Sequence, residues 1–219
     1  MGLVVVAVLA GLGAGACQRR SASGPKVPPH ATVRDNQVVH EACEGGEGAS
    51  GELNTQRFDA NADGNFDLVV VREGGRERCR WLDFNFDGRV DTWVYRDERG
   101  QERRRESDFD RDGRVDEIVL LSQGQLVQKQ RATTLSGKLD TWHFYRAGKI
   151  FRTERDANQD RIIDQWWEYP DNSGCAHVHV DLNRDGRPDP GGSVRLCPEG
   201  KDAASAATSG ATPAVREGS

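Results

Sequence analysis

Residues 83–91 are DFNFDGRVD and residues 108–116 are DFDRDGRVD, and this nine-residue phrase decides the fold. It recurs with aspartate or asparagine at places one, three and five, glycine at place six and aspartate at place nine. Aligned on place six, six copies follow one another at steps of 24, 25, 24, 24 and 25 residues. A period in this range is typical of a repeat architecture, so we expect one structural unit repeated along the chain.

The six copies are not equally complete. The fifth copy has Arg161 at place six, and the fourth, residues 132–140, keeps only Gly137 and Asp140. We therefore expect five usable loops and a fourth loop without ligands. The candidate metal ligands are Asp59, Asn61, Asp63, Asp67, Asp83, Asn85, Asp87, Asp91, Asp108, Asp110, Asp112, Asp116, Asp156, Asn158, Asp160, Asp164, Asp181, Asn183, Asp185 and Asp189.

This spacing suits calcium. Oxygen atoms from places one, three and five converge on a hard cation, place six makes a sharp turn that favours glycine, place seven offers a backbone carbonyl, and place nine closes the shell. Without a cation the carboxylates would repel one another, so we predict Ca²⁺ as the cofactor and expect its binding to be coupled to folding. Asp, Asn and Gly also form ordinary turns. Five copies in fixed register favour the metal interpretation.

The phrase resembles the calcium loop of EF-hands, with two differences. Place twelve lacks the bidentate glutamate, being for example Val94 or Val119, and the residues that follow are typical of strands. The phrase is more similar to the calcium loops inside the β-hairpins of integrin-type propellers, and more distantly to thrombospondin type 3 repeats. The resemblance covers the ligand phrase rather than either whole fold, and it implies calcium ligation by the loops.

Each unit continues as strand, turn and strand. A β-rich run such as 92–95 follows place nine, a glycine-containing turn such as Gly74-Gly75 or Ala147-Gly148 comes next, and a second extended run leads to the next loop. We predict an all-β fold in which hairpin repeats of about 24 residues form an antiparallel meander sheet or open solenoid of eleven or twelve strands. Calcium loops would line one edge and tight turns the other. A small propeller-like closure is the alternative.

Apolar residues alternate best on the first strand of each pair, which places Trp93, Trp142 and Trp166 on one face. The other face is expected to be solvated. Core packing is the commoner use of such an aromatic stripe. Stacking on the sugars of an envelope polysaccharide is the alternative.

The N-terminus has the character of an export signal. Residues 3–16 are apolar and uncharged, and the run is too short to span a bilayer, so we assign residues 1–16 to a signal peptide. The sequence Ala14-Gly15-Ala16-Cys17 fits an Ala-x-Ala cleavage site, and it also resembles a loose bacterial lipobox with Cys17 as the lipidated residue. A retained membrane anchor is a third possibility. We expect a flexible tether at 17–35, the repeat domain at 36–197 and a disordered tail at 198–219.

Four further cysteines fit an oxidising compartment. Cys175 and Cys197 lie symmetrically about Gly186, so a hairpin around the last loop would bring them together, and Cys43 pairs with Cys79 by elimination. The alternative for Cys175 is a transition-metal site shared with His177 and His179.

Composition excludes several functional classes. The chain has 30 Lys and Arg against 35 Asp and Glu, a formal net charge of −5 and a mean hydropathy of −0.72, which argue against a nucleic-acid binder and a polytopic membrane protein. No pattern indicates an enzyme. The sequence predicts a calcium-stabilised β-repeat lipoprotein of the bacterial cell envelope, acting as a structural or interaction module.

Its expected partners are the membrane, through the lipid, and an envelope protein or polysaccharide. The oligomeric state stays open. A surface carbohydrate-binding or adhesion protein that uses the aromatic stripe is the first alternative, and an enzyme accessory or inhibitor is the second.

Overall fold

A computed structural model describes residues 30–43, 53–134, 136–170 and 174–198. The predicted signal peptide, Cys17, the tether up to residue 29 and the tail from residue 199 lie outside the described residues.

Twelve strands form one sheet in sequence order, and each strand pairs antiparallel with the next. The first and last strands do not pair with each other, so the sheet is an open meander, as predicted, and the propeller-like closure does not form. No described segment is a helix long and apolar enough to cross a membrane. The strands are β1 (Leu53–Phe58), β2 (Leu68–Glu73), β3 (Arg76–Leu82), β4 (Thr92–Arg96), β5 (Glu102–Ser107), β6 (Glu117–Ser122), β7 (Gln125–Arg131), β8 (Thr141–Arg146), β9 (Lys149–Arg155), β10 (Gln165–Glu168), β11 (Ala176–Val180) and β12 (Ser193–Leu196).

Two-residue turns close the hairpins on the edge opposite the loops. Gln123-Gly124 joins β6 to β7 and Ala147-Gly148 joins β8 to β9, and all four residues have positive φ. Two successive positive φ angles give the turn whose twist matches that of paired strands. The glycine in each pair takes the left-handed conformation at no steric cost.

One face of the sheet carries the apolar core. Trp142 and Trp166 are only 2% and 5% exposed and pack in a cluster with Ile118. Residues from place eight of the loops extend this cluster, namely Val115, Leu139 and Ile163. A second cluster contains Val69, Val71, Tyr95 and the disulfide cysteines Cys43 and Cys79.

Residues 30–43, which we call the strap, lie across this face. Short antiparallel bridges join Val33 to Ile162 and Gln37 to Lys138, and the disulfide between Cys43 and Cys79 fixes the end of the strap to β3. We call the strap's side of the sheet the covered face and the opposite side the open face. Residues 30–35, assigned to the tether from sequence, lie within the strap, so the folded part begins before residue 36.

Two glutamates are buried between the strap and the sheet. Glu106, at 0% exposure, pairs with His40 of the strap and with Arg104 at 2.6 Å. Glu154 accepts a hydrogen bond of 2.6 Å from Arg34 Nε of the strap. Breaking a buried charge pair by removing one partner is strongly destabilising, so these contacts hold the strap in register.

Both predicted disulfides are formed, Cys43 with Cys79 and Cys175 with Cys197. Cys175 is thereby committed, so the alternative metal site that it would share with His177 and His179 does not form.

Candidate metal centre

The six loops are held at one sheet edge by a repeated backbone ladder. In the second loop the amide of Asp91 donates to the carbonyl of Leu82 at 2.9 Å, which closes the hairpin. The amide of Asp108 then donates to the carbonyl of Asp91 at 2.9 Å, which joins the third loop to the second. Because places one and nine both belong to this ladder, their aspartates lie at the strand ends.

Burial follows the same ladder. Aspartates at place one are buried in loops two, three, five and six, and those at place nine are buried in loops one to five. Asp59 is exposed and Asp189 half-buried, because each belongs to a loop at one end of the array. Places three and five of the third loop, Asp110 and Asp112, face solvent.

The third loop shows how the sequence shapes this geometry. Asp108 accepts the amide of Arg111 at 2.7 Å with Oδ1 and the amide of Gly113 at 2.8 Å with Oδ2. Asp110 and Asp112 each accept the amide two residues ahead with one oxygen. Their second oxygens receive no backbone donor and are the atoms that a cation could use.

Place six requires a positive φ in every loop. Gly113 has φ of +88° and Arg161 of the fifth loop has φ of +77°. Arg161 therefore adopts the conformation that glycine adopts without strain, at a cost of about 1 kcal/mol or more. The strap supports it, since the amide of Arg34 donates to the carbonyl of Arg161 at 2.9 Å.

In the third loop the carboxylates of Asp108, Asp110 and Asp116 bring oxygen atoms within 4.8 Å of one another. Within the described part of the chain, none of the three forms an ion pair. Burial raises the pKa of the Asp108 carboxyl, and the charges of Asp116 and Asp110 act in the same direction. The loop thus concentrates negative charge that a cation would neutralise.

The first loop contains an orphaned carboxylate oxygen. Asp67 is only 6% exposed, and its Oδ2 accepts the amide of Ala60. Its Oδ1 is buried and has no hydrogen-bond partner. An unsatisfied buried acceptor costs about 1–3 kcal/mol, and more when it is charged. All the candidate donors are hard oxygens, so the set fits Ca²⁺ better than a transition metal.

Asparagine at place three changes the other loops. In the first loop Asn61 Nδ2 donates to Asp63 at 2.8 Å, and in the sixth loop Asn183 Nδ2 donates to Asp189 at 3.0 Å. These side-chain NH2 groups partly compensate the negative charge of the carboxylates. To ligate a cation, each asparagine must instead turn its amide oxygen toward the ion. The third loop is the one in which all four ligand places are carboxylates.

The fourth loop fills its centre with side-chain donors. Asp140 Oδ1 accepts hydrogen bonds of 2.8 Å from the hydroxyls of Thr133 and Thr141, and Oδ2 accepts 3.0 Å from that of Thr134. Gln159 Nε2 of the next loop donates to Thr134 Oγ1 at 2.6 Å and to Ser136 Oγ at 2.9 Å. An amide therefore lies between the side chains of places three and five.

Sequence reasoning did not identify Thr133, Thr141 or Gln159 as parts of this loop centre. The sequence signal that indicates this closure is the stretch Ala132-Thr133-Thr134, in which threonine hydroxyls replace the acidic side chains of the other loops. The role of Gln159 depends on the stacking of neighbouring loops.

The aromatic stripe lies on the covered face. Trp142 and Trp166 are buried, and half-buried Trp93 contacts His40 of the strap edge-on, with ring centroids 4.8 Å apart. These side chains form part of the core and leave no contiguous row of exposed tryptophans for stacking on sugars.

No family model and no curated protein matches this chain. Among the solved structures that match this chain are two of low similarity. One is a structure of accessory secretory protein 1, 2 and 3 in Streptococcus pneumoniae, with 15% identity and a TM-score of 0.37, covering 56% of this chain and 22% of the other. The second is a GtfA/B complex bound to UDP and GlcNAc, with 14% identity and a TM-score of 0.22, covering 68% and 24%. This chain thus spans about a quarter of the length of each, and both TM-scores fall short of a shared fold.

Proposed function

We propose that this protein is a calcium-binding, calcium-stabilised β-repeat lipoprotein of the bacterial cell envelope that acts as a non-enzymatic structural or interaction module. The observation that carries the proposal is the convergence of Asp108, Asp110 and Asp116, none of which forms an ion pair within the described part of the chain. The orphaned Oδ1 of Asp67 supports it independently, in a different loop.

Calcium would act as a clamp along the loop edge. Carboxylate oxygens at places one, five and nine, with the oxygen at place three, would surround each ion, and the ion would neutralise charges that the fold concentrates there. Five ions would add ten positive charges to a formal net charge of −5. Because each loop is bonded to the next, filling one loop would stiffen its neighbours, and binding free energy would become folding free energy.

The envelope location draws on two features. The two disulfides accord with an oxidising compartment, and Cys17 follows a segment with the character of an export signal. Extracellular calcium modules bind their ion weakly, with dissociation constants on the order of 10⁻⁴ to 10⁻³ M, which suits a site exposed to millimolar calcium. A lipid on Cys17 would hold the sheet near a membrane.

The covered face is occupied by the strap, which leaves the loop edge and the open face for partners. An open twelve-stranded sheet with polar side chains on its open face suits contact with an envelope protein or polysaccharide. The module would therefore present a surface rather than enclose a substrate.

Calorimetric titration of calcium into the chain without its signal peptide tests the proposal. We expect up to five ions per chain, about one fewer in Asp110→Ala, and no change in Thr134→Ala, which alters the same place in the fourth loop. Equal losses from both variants, or no calcium binding, would refute the assignment.

A further inference from the structure

The open face contains a groove beside the fourth loop. Its volume is about 550 Å³, within the range of small-molecule sites. It is lined chiefly by Arg131, Thr141, His143, Thr153, Arg155 and Trp167, and none of the described residues that line it is acidic.

Strand register places these side chains in two parallel rows. Thr141 of β8 is paired with Arg131 on one side and Arg155 on the other. Because neighbouring strands lie about 4.8 Å apart, the backbones of the two arginines are about 10 Å apart across one strand. Arginine side chains are long enough for both guanidinium groups to reach the space above Thr141.

The second row is formed by His143, Thr153 and Trp167, on strands β8, β9 and β10. Thr141 and Thr153 are each 6% exposed and form the floor, while the longer side chains form the walls. His143 Nδ1 lies 2.9 Å from Thr153 Oγ1, which orients both groups. Burial lowers the pKa of His143, and the charges of Arg131 and Lys129 act in the same direction, so the ring is neutral at pH 7.

Arg155 is the unusual residue of the groove. Arg131 is paired with Glu117 at 3.2 Å, whereas the Arg155 side chain forms no ion pair or hydrogen bond with any described residue. Its Nε is buried and unpartnered. A guanidinium group offers five donors that match carboxylate, sulfate and phosphate groups, so an anion in the groove would pair with the terminal nitrogens of Arg155.

Trp167 supplies the second recognition element. Trp166 faces the core and packs within it. The neighbouring Trp167 points to the open face and is only half-buried, so core packing does not account for it. Large aromatic rings with a polar edge are well suited to surfaces that are partly wet. A flat ring beside two hydroxyls, a neutral imidazole and two arginines matches a polar ring that bears an anionic substituent.

We propose that this groove binds an anionic saccharide. The acidic group lies between Arg131 and Arg155, the sugar ring lies on Trp167, and sugar hydroxyls contact Thr153 and His143. This site is on the opposite face from Trp93, Trp142 and Trp166, and it does not depend on metal binding by the loops.

Binding of defined oligosaccharides tests the proposal. The probes are trigalacturonate, a sulfated galactose trisaccharide, neutral galactotriose and adenosine monophosphate, and the measurements are calorimetry and tryptophan fluorescence. We expect at least one acidic trisaccharide to bind at least tenfold more tightly than galactotriose. The tighter of the two identifies the acidic group as carboxylate or sulfate. Tighter binding of adenosine monophosphate, or equal binding of acidic and neutral trisaccharides, would overturn the proposal.

Variants separate the groove from the general charge of the open face. Arg155→Gln and Trp167→Ala should each weaken binding about tenfold or more, and Arg155→Lys should weaken it less. Arg105→Gln is the matched control, because Arg105 lies on the same face at β5 and outside the groove. A loss in Arg105→Gln equal to that in Arg155→Gln would overturn the proposal, and melting curves establish that each variant is folded.

Discussion

The third loop, residues 108–116, and the fourth loop, residues 132–140, have the same backbone frame but different centres. In both, the amide at place nine closes the hairpin at 2.8 Å, from Asp116 to Ser107 and from Asp140 to Arg131. The third loop gathers carboxylates, two of them buried, whereas the fourth surrounds a single buried carboxylate with hydroxyls and a neighbouring amide.

This difference separates what the fold needs from what a cation would add. The fourth loop keeps an aspartate at place nine, Asp140, although it lacks the other acids. The carboxylate of Asp140 accepts hydrogen bonds across the loop, and those bonds need no metal. Each hydrogen bond to a charged group contributes about 1.5–3 kcal/mol. The third loop has fewer donors than acceptors at its centre, so we infer that its stability depends on an ion.

Removing calcium should give the largest effect on this comparison. We expect EDTA to lower the melting temperature by more than about 10 °C, because several sites each contribute binding free energy to the folded state. Hydrogen exchange should accelerate at the amides of Arg111 and Gly113 in the third loop and change little at Lys138 in the fourth. An unchanged melting temperature in EDTA would show that the third loop is as self-sufficient as the fourth.

Replacing the place-nine aspartates should have an intermediate effect. Asp140→Ala leaves the hydroxyls of Thr133, Thr134 and Thr141 without their acceptor, so the free energy of unfolding should fall by about 2–4 kcal/mol. The loss should be the same with calcium and with EDTA, because no ion takes part. Urea unfolding under both conditions measures it.

Asp116→Ala is the matched variant in the third loop. It should cost more in calcium than in EDTA, because the wild-type loop gains stability from the ion. If the stability loss of Asp140→Ala depended on calcium more strongly than that of Asp116→Ala, the fourth loop rather than the third would be the one that binds the ion.

Much of the fold could be predicted from sequence because its signals are local. The 24-residue period, the strands after place nine and turns such as Ala147-Gly148 depend on neighbouring residues. The pairing of Cys175 with Cys197 follows from the symmetry of one hairpin. Each of these features is repeated or contained within a unit.

The strap and the groove depend on contacts between distant residues. Arg34 is hydrogen-bonded to Glu154, which is 120 residues away in sequence, and His40 to Glu106, which is 66 residues away. No local sequence pattern predicts either pair. The groove has the same origin, because Arg131, Arg155 and Trp167 belong to three different strands of the repeat array. The candidate ligands were identifiable from spacing, but the side-chain closure of the fourth loop required the position of Gln159.

Acidification should give the smallest effect, and in the metal-free protein the buried loop aspartates should contribute to it with a definite sign. Burial raises the pKa of Asp108, Asp156 and Asp164 above 3.8, so the folded state binds more protons than the unfolded state just above that pH. These three groups should therefore raise the free energy of unfolding in EDTA as the pH falls from about 5 toward 4, a gain of about 1–3 °C in melting temperature. His143, whose pKa is lowered by burial, acts in the opposite direction as the pH falls below 6.5.

The lowered pKa values of Asp63 and Asp87 act below 3.8, outside this range. With saturating calcium the trend should reverse, because protons compete with the ion for the same oxygens. Asp108→Asn should flatten the metal-free slope, and Thr134→Ala in the fourth loop should leave it unchanged. A metal-free slope below pH 5 that is the same in Asp108→Asn as in the wild type would show that the crowded carboxylates of the third loop are already compensated, as Asp140 is in the fourth.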